Sequence, residues 1–208
     1  MTTLVAIQGD GFAFACVDSQ VSDVNDAGYA TQIATLRESS SKLGYNGRYL
    51  LGAAGDVRAI NILHHAFNPP VCPPNLKGKK LDQFITVKFI PSLRECFEAQ
   101  GYATADNENK THVAEHESVV FMAINGTIYI IDGDYSWISD VNGMYAIGSG
   151  AQYALGALHV LTPKTKLTMA TAKKIGIKAL ATAAKFDPYT GAPYHSFTNG
   201  NEKKPKPS

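Results

Sequence analysis

The chain carries two threonines directly after its first residue, Thr2-Thr3. A threonine hydroxyl is a weak nucleophile and needs a base beside it. A threonine that begins a chain brings its own, because a free α-amine titrates at roughly 7.7–8.0 and is partly unprotonated near neutral pH. Such an amine can take the hydroxyl proton, directly or through a water, and return it to a leaving amine. The chemistry requires loss of Met1, which a methionine aminopeptidase is expected to remove ahead of so small a side chain, with no propeptide to shed. A Thr-Thr pair is equally a fitting start for a β-strand, so the dipeptide alone does not decide. Other reactive groups offer less. Cys16, Cys72 and Cys96 are odd in number, far apart and without a C-x-x-C pair, so neither a disulfide framework nor a zinc site is expected. Cys16 and Cys96 read as small buried hydrophobes, in a reducing, intracellular setting. His64-His65 does not match H-E-x-x-H, adjacent helical residues point different ways, and the six histidines show no ligand spacing, so no metal is expected. Gly148-Ser149-Gly150 lacks the frame of a phosphate loop, and no cofactor is expected.

Any such chemistry must be positioned by the surrounding elements. Thr3 to Gln8 and Phe12 to Val17 are apolar runs of strand length joined by Gly9-Asp10-Gly11, a hairpin signal. A second hairpin is expected from Lys42 to Ala54 around Asn46-Gly47, and a third from Ser118 to Asp132 around Asn125-Gly126. The polar stretch 22–41 has room for a short extra strand. Asp56 stands where a helix N-cap is wanted, with Val57, Ile60, Leu63, His64 and Phe67 following at helical spacing. A second helix is expected over about 81–100, kinked or split at Pro91. Trp137-Ile138 and Met144 to Ile147 extend the sheet. Helices then follow at Ala151 to Leu161 and at about 168–186, with a closing strand over 192–198.

The order is strands, two helices, strands, two helices. It points to antiparallel sheets with helices layered on their outer faces. The fold class is α+β, a four-layer αββα sandwich, formed by one domain over residues 2–198 with a solvated tail at 199–208. A chain of 208 residues has room for one substantial core. Lys+Arg 19 against Asp+Glu 18 leaves no basic surface of the kind a nucleic-acid binder needs. No apolar run is long enough to span a bilayer and the N-terminus has no signal-peptide pattern, so a cytoplasmic protein is expected.

Four segments carry a family resemblance. The opening TTLVAIQGDGFAFACVDSQ has two threonines, a strand, a D-G turn, a second strand and an Asp-Ser. Gly52-Ala53-Ala54-Gly55-Asp56 is a small-residue strand end entering a helix. Tyr145-Ala146-Ile147-Gly148-Ser149-Gly150 precedes AQYALGAL, and Asp187-Pro188-Tyr189-Thr190-Gly191 follows the last helix. In this order, over about residues 2–191, they resemble the N-terminal-nucleophile hydrolases of the proteasome β-subunit and HslV peptidase type.

The resemblance implies roles for particular residues. Thr2 is the nucleophile, with Asp18 and Lys42 beneath its hydroxyl, where a Lys⁺ held by a buried carboxylate lowers the cost of an alkoxide-like oxygen. The segment before Lys42 is longer than the family spacing; its plain alternative is a solvated lysine at a strand end. Gly55 is the candidate oxyanion donor, aided by the helix dipole behind it, or a simple strand-to-helix turn. Ser149, Asp187 and Thr190 would orient the threonine amine; their alternatives are a helix N-cap and an Asp-x-x-Thr turn, and Thr190 replaces the family's usual serine. Ser22 would pair with substrate backbone in β-strand fashion, and Ala53 would line the primary pocket.

The function implied is a threonine-type endopeptidase acting on polypeptides inside a homo-oligomeric ring, fed by an ATP-dependent unfoldase. The alternatives are a catalytically silent shell or scaffold subunit and an N-terminal-nucleophile amidase for a small amide. The loops at 69–80 and 103–117 exceed those of compact relatives and are expected to adapt the protein to a partner.

Overall fold

The computed structural model describes residues 1–25, 29–103, 115–163 and 166–201. Strands β1 (Thr3–Gln8) and β2 (Phe12–Asp18) form the first hairpin. They sit at the centre of an antiparallel sheet ordered β10-β1-β2-β11, with β10 Met144–Gly148 and β11 Tyr194–Gly200 at its edges. The second sheet is the antiparallel meander β5-β6-β7-β8-β9: Leu43–Asn46, Tyr49–Ala54, Val119–Ile124, Thr127–Ile131 and Trp137–Ile138.

The period-2 alternation of strands builds the layers. Val5, Ile7, Phe12, Phe14 and Cys16 pack on Ala154 and Leu158 of α4 (Ala151–Leu161) and on Ala172, Ala179 and Leu180 of α5 (Met169–Ala183). Leu4, Ala6, Ala13, Ala15 and Val17 turn the other way, onto Leu43, Leu50, Phe121, Ala123 and Ile128 of the second sheet. The far side of that sheet, with Tyr49, Leu51, Ala53, Met122 and Tyr129, meets Ile60 and Leu63 of α1 (Val57–His65), Leu81 of α2 (Lys79–Phe84) and Leu93 and Phe97 of α3 (Ile90–Ala99). The result is the αββα sandwich expected. Apolar residues on both faces of β2 explain why it reads as the unbroken run FAFACV.

Local chemistry accounts for the departures. The second hairpin pairs Asn46 with Tyr49, so its two central residues are Gly47 and Arg48, not Asn46 and Gly47. The third has Asn125 and Gly126 at φ 54° and 78°, as a type I′ turn requires. The second helix is divided, as its proline led one to expect: a π-helical turn, Ile85–Phe89, joins α2 to α3, and Pro91 stands in the first turn of α3. That wider turn absorbs the missing N–H and the ring's clash with the preceding turn. The stretch after β2 holds a separate hairpin, β3 (Gln20–Val24) and β4 (Ala30–Thr35). Strands β9 and β10 enter different sheets. β11 takes in the first two residues of the expected tail; 202–208 lie outside the described residues, as do 104–114 of the second long loop. The first long loop is tied down: Arg48 donates to the Cys72 carbonyl at 2.7 Å and Tyr49 to that of Pro70 at 2.7 Å. Asn125 Nδ2 donates to the carbonyls of Pro73 at 2.9 Å and Leu76 at 3.1 Å.

Candidate active site

Six strand ends converge at one end of the sandwich. Thr3 at the start of β1 pairs with Gly148 at the end of β10, and Tyr194 at the start of β11 pairs with Asp18 at the end of β2. From the second sheet come the start of β5, preceded by Lys42, and the end of β6, followed by Gly55. Alternation along β1 sends Thr3 with Val5 and Ile7 toward α4 and α5, and Thr2 with Leu4 and Ala6 into the space between the sheets. Thr2 is buried.

Between the sheets lies an ion pair. Asp18 is fully buried, Lys42 is 1% exposed, and their Oδ1···Nζ distance is 2.8 Å. The reading of Lys42 as a solvated strand-end lysine therefore falls. Asp18 Oδ1 also accepts from the Thr3 N–H at 2.9 Å, and Oδ2 from the N–H groups of Gln20 at 3.0 Å and Gly191 at 3.3 Å. Lys42 has three protons to give, and all three are engaged: Asp18 Oδ1, the Gln20 carbonyl at 2.5 Å and the Met1 carbonyl at 2.9 Å. Burial pushes the Lys42 ammonium below its ordinary range and the Asp18 carboxyl above its own, each partner's charge opposing the shift. The α-amine of Met1 is likewise lowered, by burial first and then by the charge of Lys42.

On the helix side, hydroxyls converge on one carboxylate. Asp187 Oδ2 accepts from Ser149 Oγ at 2.7 Å and, in a short contact, from Thr190 Oγ1. Thr3 Oγ1 lies 2.6 Å from Thr190 Oγ1 and accepts from the Gly150 N–H at 2.9 Å. The proton order follows: Gly150 N–H to Thr3, Thr3 O–H to Thr190, Thr190 O–H to Asp187. A Cβ on Gly150 would stand 2.6 Å from Thr3 Oγ1 and 3.0 Å from Asp187 Oδ2, so this position in the I-G-S-G run has room for glycine alone. The Ser149 N–H holds the Thr2 carbonyl at 2.9 Å. Gly150, not Ser149, is the N-cap of α4. Asp187 serves both as acceptor and as turn residue, with Thr190 N–H on its carbonyl at 3.2 Å.

Gly55 is exposed, with φ at 129°, and a Cβ there would meet Ser118 Oγ at 2.7 Å. Asp56 behind it caps α1, its Oδ1 accepting from Arg58 N–H at 2.8 Å. Ser22 is buried on β3, its Oγ accepting from Gln20 Nε2 at 2.7 Å. Ala53 is fully buried in the core against the outer helices. Asp18 and Lys42 are thus one group, with the Met1 carbonyl on Lys42, and Ser149, Asp187 and Thr190 another, with the Thr2 carbonyl on Ser149. Thr3 joins them, its N–H on Asp18 and its hydroxyl on Thr190. Sequence reasoning missed Thr3 and Gln20; the strand period would have found Thr3, since neighbours on a strand face opposite sides. Among the described residues no group of three or more His, Cys, Asp or Glu side chains could hold a metal ion, and no helix is long and apolar enough to cross a membrane.

No family model matches the sequence, and no curated protein matches it. Solved structures do. Thiobacillus denitrificans BPH in complex with epoxomicin aligns with a TM-score of 0.71 at 20% identity, covering 97% of this chain and 100% of that one. A second BPH structure gives 0.71 at 20% over 98% and 100%. Eukaryotic HslV from Trypanosoma brucei gives 0.61 at 19%, covering 96% of this chain and 100% of that one. The chain has the proteasome/HslV-type fold. The αββα layers and the converging strand ends are therefore parts of that fold.

Proposed function

We propose that this chain is a threonine peptidase whose nucleophile is Thr2, freed by removal of Met1. The observation that carries the reading is the third proton of Lys42. It rests on the Met1 carbonyl, at the peptide bond that must be cut, while the other two are fixed on Asp18 and Gln20. Loss of Met1 releases that one donor beside Thr2 and creates the α-amine that acts as base.

The Thr2 amine takes the hydroxyl proton, and Oγ attacks the carbonyl carbon of the scissile amide. The Lys42 charge, held in a water-poor site, lowers the cost of the developing alkoxide. The tetrahedral oxyanion turns to the Gly55 N–H at the positive end of α1. Collapse passes the proton to the leaving amine and leaves an ester on Thr2, which water hydrolyses by the same route. Ser149 holds the Thr2 carbonyl from behind, and Asp187 with Thr190 fixes Ser149, so the amine has one orientation. A polypeptide lying along β3 at Ser22 is the substrate. The BPH complex with epoxomicin supports the choice of that compound as a probe. A closed homo-oligomeric ring in the cytoplasm, served by an ATP-dependent unfoldase, belongs to the same reading.

The test is the intact mass of the purified protein before and after epoxomicin, beside Thr2→Ala. Loss of one methionine and a single adduct, absent from the variant, supports the reading. A retained methionine, or a processed protein that takes no adduct, overturns it in favour of a silent shell subunit.

A further inference from the structure

Gln20 is buried, and four of its hydrogen bonds end in the candidate site. Its N–H donates to Asp18 Oδ2 at 3.0 Å, and its carbonyl accepts from Lys42 Nζ. Its side-chain Nε2 donates to Ser22 Oγ at 2.7 Å and to the Pro188 carbonyl at 2.8 Å. A backbone carbonyl can only accept, so Pro188 fixes which way the carboxamide is turned. Both Nε2 protons are then used. The Oε1 end lies against Gly191, where an added Cβ would come within 2.1 Å of it. The glycine of D-P-Y-T-G is thus the counterpart of Gln20, in contact with it only through the fold.

We propose that Gln20 is a positioning residue for the Thr2 reaction, its carboxamide locking the Asp187–Thr190 turn to the Asp18–Lys42 pair and aiming Ser22 at the substrate. The proposal rests on the reading of Thr2 as nucleophile. The backbone of Gln20 sets the height of Lys42, and its side chain sets the turn that carries Asp187 and Thr190. The two groups that flank Thr2 are thereby held in one frame. Ser22 accepts from Nε2, which leaves its own hydroxyl proton to donate to a substrate carbonyl. A small displacement at the reacting atoms costs up to about 100-fold in rate, so a brace of this kind acts on the chemical step more than on binding.

The experiment compares the processed wild type with Gln20→Ala, Gln20→Met, Gly191→Ala and the double variant Gln20→Ala/Gly191→Ala. A fluorogenic peptide amide gives kcat and KM, epoxomicin labelling of Thr2 gives a second rate, and thermal melting controls for folding. Gln20→Met keeps the length of the side chain without its donors. Both Gln20 variants should lose about 10- to 100-fold in kcat with a smaller change in KM. Gly191→Ala, which pushes on the same carboxamide, should lose a similar factor, and the double variant no more than either single one. Unchanged kcat in folded Gln20→Met, or losses at 20 and 191 that multiply independently, overturns the proposal while wild-type labelling keeps the Thr2 reading. A wild type that takes no adduct overturns both.

Discussion

Lys42 and Asp18 show what a buried pair demands of its members. Truncating Lys42 to alanine leaves a carboxylate with no counter-charge in the core, a loss of about 3–5 kcal/mol. The loss should grow as pH rises above about 4: the unfolded Asp18 ionises there, while the buried one, its pKa raised by burial, resists. Denaturant unfolding of Lys42→Ala and wild type across pH checks both size and sign. The double variant Asp18→Asn/Lys42→Met should recover much of that stability, because it removes both charges together, yet take no epoxomicin. Gly150→Ala should cost about 1–3 kcal/mol, since its methyl must displace Thr3 Oγ1 or Asp187, and melting measures it. At this scale the residues inside sequence motifs were legible: Asp18, Ser149, Asp187 and Thr190 stand in short runs of distinctive order. Gln20 was not, because nothing in a local window links a glutamine to a proline carbonyl 168 positions further on.

The elements follow from local rules where local rules suffice. Asp56 begins α1 by capping it, and Asp56→Ala should cost about 1 kcal/mol, read as a lowered melting midpoint. Hairpins β1–β2 and β7–β8 and the bounds of α4 could be read from the chain. The partition of β9 and β10 between sheets could not, because both are short apolar runs and their partners are chosen across the fold: Ile130 and Ile131 for one, Thr3 to Ile7 of β1 for the other. The first long loop is also a tertiary matter. Asn125 belongs to the β7–β8 turn, yet its amide holds the carbonyls of Pro73 and Leu76. Asn125→Ala should loosen that loop and speed proteolytic cutting near Val71, which is 90% exposed, without changing epoxomicin labelling. Limited proteolysis beside labelling separates the two effects.

Across the whole molecule, three apolar seams hold four layers, and one of them contains a buried histidine. His116 packs against Phe97, Tyr102 and Tyr135, and its Nδ1 accepts from the Ser118 N–H. Nδ1 therefore carries no proton, and burial lowers the ring from 6.5 to about 4. Between those values the unfolded chain binds the extra proton and the folded one does not, so stability rises with pH through that window. Acidification from about 6.5 to about 4 should cost up to about 3 kcal/mol from this residue alone, at roughly 1.4 kcal/mol per pH unit. His116→Asn, which keeps an acceptor for Ser118, should flatten that part of the stability curve.

The register of β1 has a consequence of another kind. The strand is hydrogen-bonded along both edges, to β10 and to β2, and sliding it by one residue would turn Leu4 and Ala6 out of the seam between the sheets. The two adjacent threonines are therefore not spare copies of one another. Deleting Thr2 would leave a chain that still begins with threonine after processing, yet Thr3 would remain beside Asp187 and Thr190, facing the helices, with its N–H already committed to Asp18. Identical chemistry one position along is no substitute, because the sheet assigns each threonine to its own side of the protein.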